Sequence, residues 1–197
     1  MSIIEFIILA IALSFEAMIV MYSCVSNTSI PLSKGVAESF IIAMLNALLL
    51  LFGLWVGNIL RFTPQSLGDS TTRDLLTDTD NMVCLALMIF VALRMVFRLG
   101  KKNYQIQPYD ISRYSITLLL GVAVGINSLI IGLALGFRID ASDNFLRAFF
   151  PMVVVNMFMT YFGIMLGRQH KELRRRRYAY IAALLILAFA LKGALWS

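Results

Sequence analysis

The chain has 197 residues, of which 60% are hydrophobic and only 14% charged, whereas soluble domains are about half apolar and about a quarter charged. That balance excludes an ordinary soluble globule, and the apolar residues come in long runs, as in a protein that crosses a membrane several times. The net charge of +6 does not indicate a nucleic-acid binder, because the basic residues sit in short connections between apolar runs, where they set orientation.

The expected architecture is all-α, a single membrane domain over 1–197 with six transmembrane helices at 3–24, 36–60, 81–100, 114–137, 145–167 and 178–196. Each run is long enough to cross a hydrocarbon core of about 30 Å. The start, Met1-Ser2-Ile3-Ile4-Glu5, has no basic stretch and reads as a true first span rather than a cleaved signal peptide. That span carries Ser14-Phe15-Glu16-Ala17. A carboxylate in mid-span must be hydrogen-bonded, paired or protonated, which makes Glu16 the leading functional candidate. The second span holds Asn46 and Gly53-x-x-x-Gly57. The connection at 61–80, with Pro64, Asp69, Asp74, Asp78 and Asp80, reads as a solvated loop. Arg94 falls in the third span, and Asn127 and Ser128 fall in the fourth between Gly121-x-x-x-Gly125 and Gly132-x-x-x-Gly136. The fifth span holds Asn156, Thr160 and Gly163-x-x-x-Gly167, and the sixth holds Lys192. Glycines at that spacing let helix backbones approach closely. Cys24 and Cys84 lack metal spacing and read as packing residues.

One set of loops carries eleven Lys and Arg residues, including Lys34, Arg98, Arg113 and the run Arg174-Arg175-Arg176-Arg177, against four on the opposite face. The positive-inside rule places the eleven in the cytoplasm and both termini outside. The arginine run also suits anionic lipid head groups, and His170 beside it reads as a solvated loop residue.

The halves of the chain correspond. At an offset of 110, Asn46 falls on Asn156 and Gly53 on Gly163, and at 111 Glu16 falls on Asn127. Val91-Ala92-Leu93-Arg94 likewise faces Phe189-Ala190-Leu191-Lys192. Two three-helix repeats, 1–102 and 112–197, follow. Because three spans is an odd number, the second copy enters the membrane inverted, as in secondary transporters whose substrate site lies where the repeats meet. Glu16, Asn46, Asn127 and Asn156 all lie near the middle of their spans, with Ser14, Ser128 and Thr160 as supporting hydroxyls. An oxygen-rich cage of this kind suits a hard or borderline divalent cation such as Mn²⁺, and no cofactor is implied. Arg94 and Lys192 are candidate gates or counter-charges, or they snorkel to the interface. No nucleophile triad, zinc motif or phosphate loop suggests an enzyme.

These residues resemble the MntP-type manganese efflux pumps, bacterial inner-membrane proteins of the LysE-like exporter superfamily. That family carries a Ser-x-Asp-Ala motif in span 1 and an echo of it in span 4. Here the copies read Ser14-Phe15-Glu16-Ala17 and Gly125-Ile126-Asn127-Ser128, the second followed by Gly132-Leu133-Ala134-Leu135-Gly136-Phe137. Asn46-Ala47-Leu48 with Gly53, Leu93-Arg94-Met95 and Leu166-Gly167-Arg168 also match. The resemblance implies an exporter of a divalent cation, Mn²⁺ or a similar ion, working by alternating access. Glu16 would be the charged ligand and a candidate proton-coupling group, with Asn46, Asn127 and Asn156 as neutral ligands. In two places the chain departs from the pattern: Glu16 replaces the first aspartate and keeps its charge, while Asn127 replaces the second and loses it. The alternatives are export of a small organic solute held by Arg94 or Lys192, and a non-transporting membrane partner.

Overall fold

A computed structural model describes residues 3–25, 31–61, 70–100, 114–137, 141–169, 180–188 and 191. Five long helices follow one another: α1 (Ile3–Val25), α2 (Leu32–Leu60), α3 (Ser70–Gly100), α4 (Tyr114–Gly136) and α5 (Ala141–Arg168). A sixth helical segment, α6, covers 180–188. No strand occurs among the described residues. Among the described residues, five helices are long and apolar enough to cross a membrane. The expected sixth span at 178–196 is represented by α6 and residue 191, and Lys192, His170 and the arginine run lie outside the described residues.

The third span departs from expectation. α3 begins at Ser70, so Asp74, Asp78 and Asp80 lie on a helix rather than in the solvated loop expected at 61–80. Hydropathy marks only where apolar residues begin, here near Asp78, whereas a helix needs only its own backbone hydrogen bonds and continues through polar turns outside the lipid. Asp80 is buried and pairs with Arg61 at the end of α2, Nε to Oδ2 at 3.8 Å. At the other end of α2, Pro31 supplies the fixed φ that suits a helix start, and its carbonyl accepts from Gly35 N–H at 3.1 Å. Pro151 lies inside α5, where it cannot donate to the carbonyl of Arg147.

Polarity runs inside out. Leu48, Phe52, Trp55, Phe90, Leu119 and Phe158 are exposed, whereas Glu16, Glu38, Asn46, Asn127, Asn156 and Thr160 are buried. A lipid solvent favours this arrangement, because hydrocarbon accepts the aromatic and aliphatic surface and rejects the carboxylate and amides.

α1 packs against α5, α2 against both α4 and α5, and α3 against α4. The α2–α4 contact is a seam of glycines. A methyl group at Gly53 or Gly57 would fall on the backbone of Leu129 or Leu133, and one at Gly132 or Gly136 on the backbone of Leu50 or Leu54. Only glycine permits so close an approach. These contacts rise together in number along both helices, so α2 and α4 run parallel. Towards their N-termini the pair spreads. Gly121 and Gly125 meet the side chains of Leu45, Leu49 and Asn46 instead of backbone. A small apolar cluster fills that end, with Val20 and Met21 from α1, Ile42 from α2, Leu120 and Val124 from α4 and Ile164 from α5.

Candidate cation site

Four helices place the polar residues in one layer. α1 contributes Glu16, α2 Asn46, α4 Asn127 and Ser128, and α5 Asn156, all no more than 2% exposed. Both sequence pairs meet. Asn127 Nδ2 donates to Glu16 Oε2, and Asn46 Nδ2 donates to Asn156 Oδ1 at 3.3 Å. Ser128 Oγ donates to Asn46 Oδ1 at 3.4 Å, and Asn156 Nδ2 donates to Met152 Sδ at 3.6 Å. Because Asn127 and Ser128 are consecutive on α4, the two pairs are neighbours.

Arg94 adds a second contact that bears a charge. Its Nη1 donates to Asn127 Oδ1, so Asn127 lies between a guanidinium and a carboxylate. The polarity of the amide fits that position: its oxygen accepts from the cation and its nitrogen donates to the anion. Arg94 is half-buried and its head is engaged in the bundle, not turned out to the interface.

The supporting hydroxyls divide. Ser14 Oγ donates to Ala10 O at 2.5 Å on its own helix, and Ser128 joins the amide pair. Thr160 Oγ1 is buried with no hydrogen-bond partner among the described residues. No group of three His, Cys, Asp or Glu side chains converges among the described residues, so any ion held here would rest on one carboxylate and amide oxygens. Cys24 and Cys84 are buried thiols outside any disulfide among the described residues.

Besides Asp80, sequence reasoning missed a second buried carboxylate. Glu38 on α2 is fully buried, yet it stands only four residues after Lys34 near a span end, where carboxylates are usually solvated. The available signal was periodicity, since Glu38 continues the stripe of Ile42, Leu45 and Leu49 along α2.

The pattern of the family described as "Putative manganese efflux pump" (Mntp) matches residues 65–193, well over half of the chain. The chain belongs to the Mntp family. The match takes in α3 to α6, with Arg94, Asn127 and Asn156, and Glu16 and Asn46 precede it. No curated protein and no solved structure matches the chain. Mntp membership and the apolar helices make this a multi-pass membrane protein of a manganese efflux family.

Proposed function

We propose that the chain is a secondary transporter of the bacterial inner membrane that exports a divalent cation, Mn²⁺, by alternating access, with both termini outside the cytoplasm. The observation that carries this reading is the Glu16–Asn127–Arg94 chain inside an apolar bundle. Such a buried charge system is expensive to maintain and marks an ion pathway. Glu16 is the charged ligand, and Asn46, Asn127 and Asn156 supply neutral oxygens. Arg94 is the resident counter-charge, holding Asn127 when no ion is present and withdrawing as a cation arrives. Without that withdrawal, the site would place a divalent ion beside a guanidinium in low dielectric.

Two inverted repeats underlie the reading. Under them α1 corresponds to α4 and α2 to α5, so the α1–α5 and α2–α4 contacts become equivalent. Gly53 abuts the backbone of Leu129 and Gly163 that of Met18, and these residues are related by the same offsets, 110 and 111, as the polar pairs.

The test is manganese uptake into everted membrane vesicles from cells lacking other exporters, with zinc, cobalt and magnesium in parallel. Wild type is expected to accumulate manganese, and Glu16→Gln to lose nearly all of it. Equal uptake by Glu16→Gln rules out the role given to Glu16. A second reading has its own support: a guanidinium and a carboxylate separated by one amide could be bridged by a zwitterionic amino acid. In that case Arg94→Gln abolishes amino-acid efflux and leaves manganese untouched.

A further inference from the structure

We propose a second cation station, formed by Glu38 and Thr117, on the far side of an apolar plug from the central layer. It rests on the reading of the protein as a cation exporter and gives that exporter an inner waiting site.

The register of α2 and α4 places the two residues together. Further out, Lys34 Nζ lies 5.6 Å from the centre of the Tyr114 ring. Further in, Leu45 packs on Gly121, and Asn46 approaches Gly125. Glu38 and Thr117 lie between these contacts, on the same parallel pair and at the same offset of 79 as Asn46 and Gly125. Each continues the facing stripe of its helix: Glu38 precedes Leu45 by seven residues, and Thr117 precedes Gly121 by four. Both are 0% exposed. Thr117 Oγ1 has no hydrogen-bond partner among the described residues, and a buried hydroxyl in that condition has its oxygen open to a water or an ion.

The station and the central layer are in series. Glu38 precedes Asn46 by eight residues, which is about 12 Å along the helix axis. Between them lies the cluster of Met21, Ile42, Leu120, Val124 and Ile164. An apolar constriction between two polar sites passes an ion only when it wets or parts. The pair is also at the spread end of the α2–α4 seam, where side chains replace backbone contact, so an ion can be accommodated there without forcing tight backbones apart. One carboxylate and one hydroxyl leave most of the coordination shell to water. That suits a hydrated divalent cation that must bind and then leave. In the proposed orientation this end faces the cytoplasm, where eleven basic loop residues stand against Asp110 and Glu172, and Glu38 adds a buried negative charge.

The experiment is the initial rate of manganese uptake into everted vesicles as a function of manganese concentration, for the full-length chain. Glu38→Gln is expected to raise the half-saturating concentration about tenfold with the maximal rate within about twofold, because the loss is one of binding. Thr117→Val should raise it about threefold, and Glu38→Asp should return it towards wild type. By contrast, Glu16→Gln should lower the maximal rate. Half-saturation unchanged in both Glu38→Gln and Thr117→Val, with wild type still transporting, overturns the station and leaves the exporter standing. Absence of manganese flux in wild type overturns both. Should Glu38→Gln fail to accumulate in the membrane, the Thr117→Val and Glu38→Asp titrations decide.

Discussion

The helix pairs α2–α4 and α1–α5, equivalent under the proposed repeat, both pack closely and are built from different material. α2–α4 closes backbone to backbone over Gly53, Gly57, Gly132 and Gly136. In α1, the positions matching Gly132 and Gly136 at an offset of 111 are Met21 and Val25, both buried, and the close backbone approach is at Gly163 against Met18. The first pair can loosen only by losing contacts along its whole seam. The second meets partly through methionine, which has three soft torsions and adapts to a changed neighbour. Similar architecture thus yields one stiff pair and one compliant pair, and the polar layer lies where they join.

The difference can be broken at its strongest point. Gly132→Val should destabilise the protein by about 3 kcal/mol, because added volume at a backbone contact forces helices apart. The check is the thermal unfolding of purified protein, with no effect as the refuting result. Met21→Ala, at the matching position of the compliant pair, should cost about 2 kcal/mol by leaving a cavity instead of a clash. If the valine substitution proves milder than the alanine one, the assignment of stiff and compliant pairs is reversed.

A second asymmetry, between Glu16 and Asn127, can be sharpened in the same way. Asn127→Asp should tighten manganese binding about tenfold by adding a second negative charge, as read by manganese titration of the purified protein. Weaker binding would mean that Arg94 stays in place and neutralises the new carboxylate. The smallest effect is expected at the amide pair. Asn156→Ala should cost about 1 kcal/mol, the scale of one interhelical hydrogen bond in a membrane, and Asn46→Ala should match it in the same unfolding assay.

Much of this was legible in the residues. Hydropathy located α1, α2, α4 and α5 to within a few residues, since each is apolar almost throughout. The offsets of 110 and 111 placed Glu16, Asn46, Asn127 and Asn156 at matched depths, while the particular pairs Asn46–Asn156 and Glu16–Asn127 came only with the helix packing. The start of α3 was not legible, because Thr and Asp are equally at home in a loop and in a helix outside the lipid. Nor was Glu38, since a carboxylate close to a lysine at a span end is solvated in most proteins and here is enclosed by the neighbouring helices. Arg94 could be placed in its span but not aimed, as a long side chain reaches either the interface or the bundle, and only α4 beside it decides which.

The guanidinium of Arg94 also bears on electrical work. Moving one elementary charge through a 100 mV membrane potential is worth about 2.3 kcal/mol. A tethered cation that retreats from Asn127 as a divalent ion advances subtracts its own displacement from the charge moved in that step, and returns before the next cycle. If the proposed export holds, the loading step would then feel the membrane voltage less than the advance of the cargo alone. Arg94→Gln should make manganese flux steeper in voltage when the potential is set by a potassium gradient and an ionophore. An unchanged slope would mean that Arg94 stays still throughout the cycle.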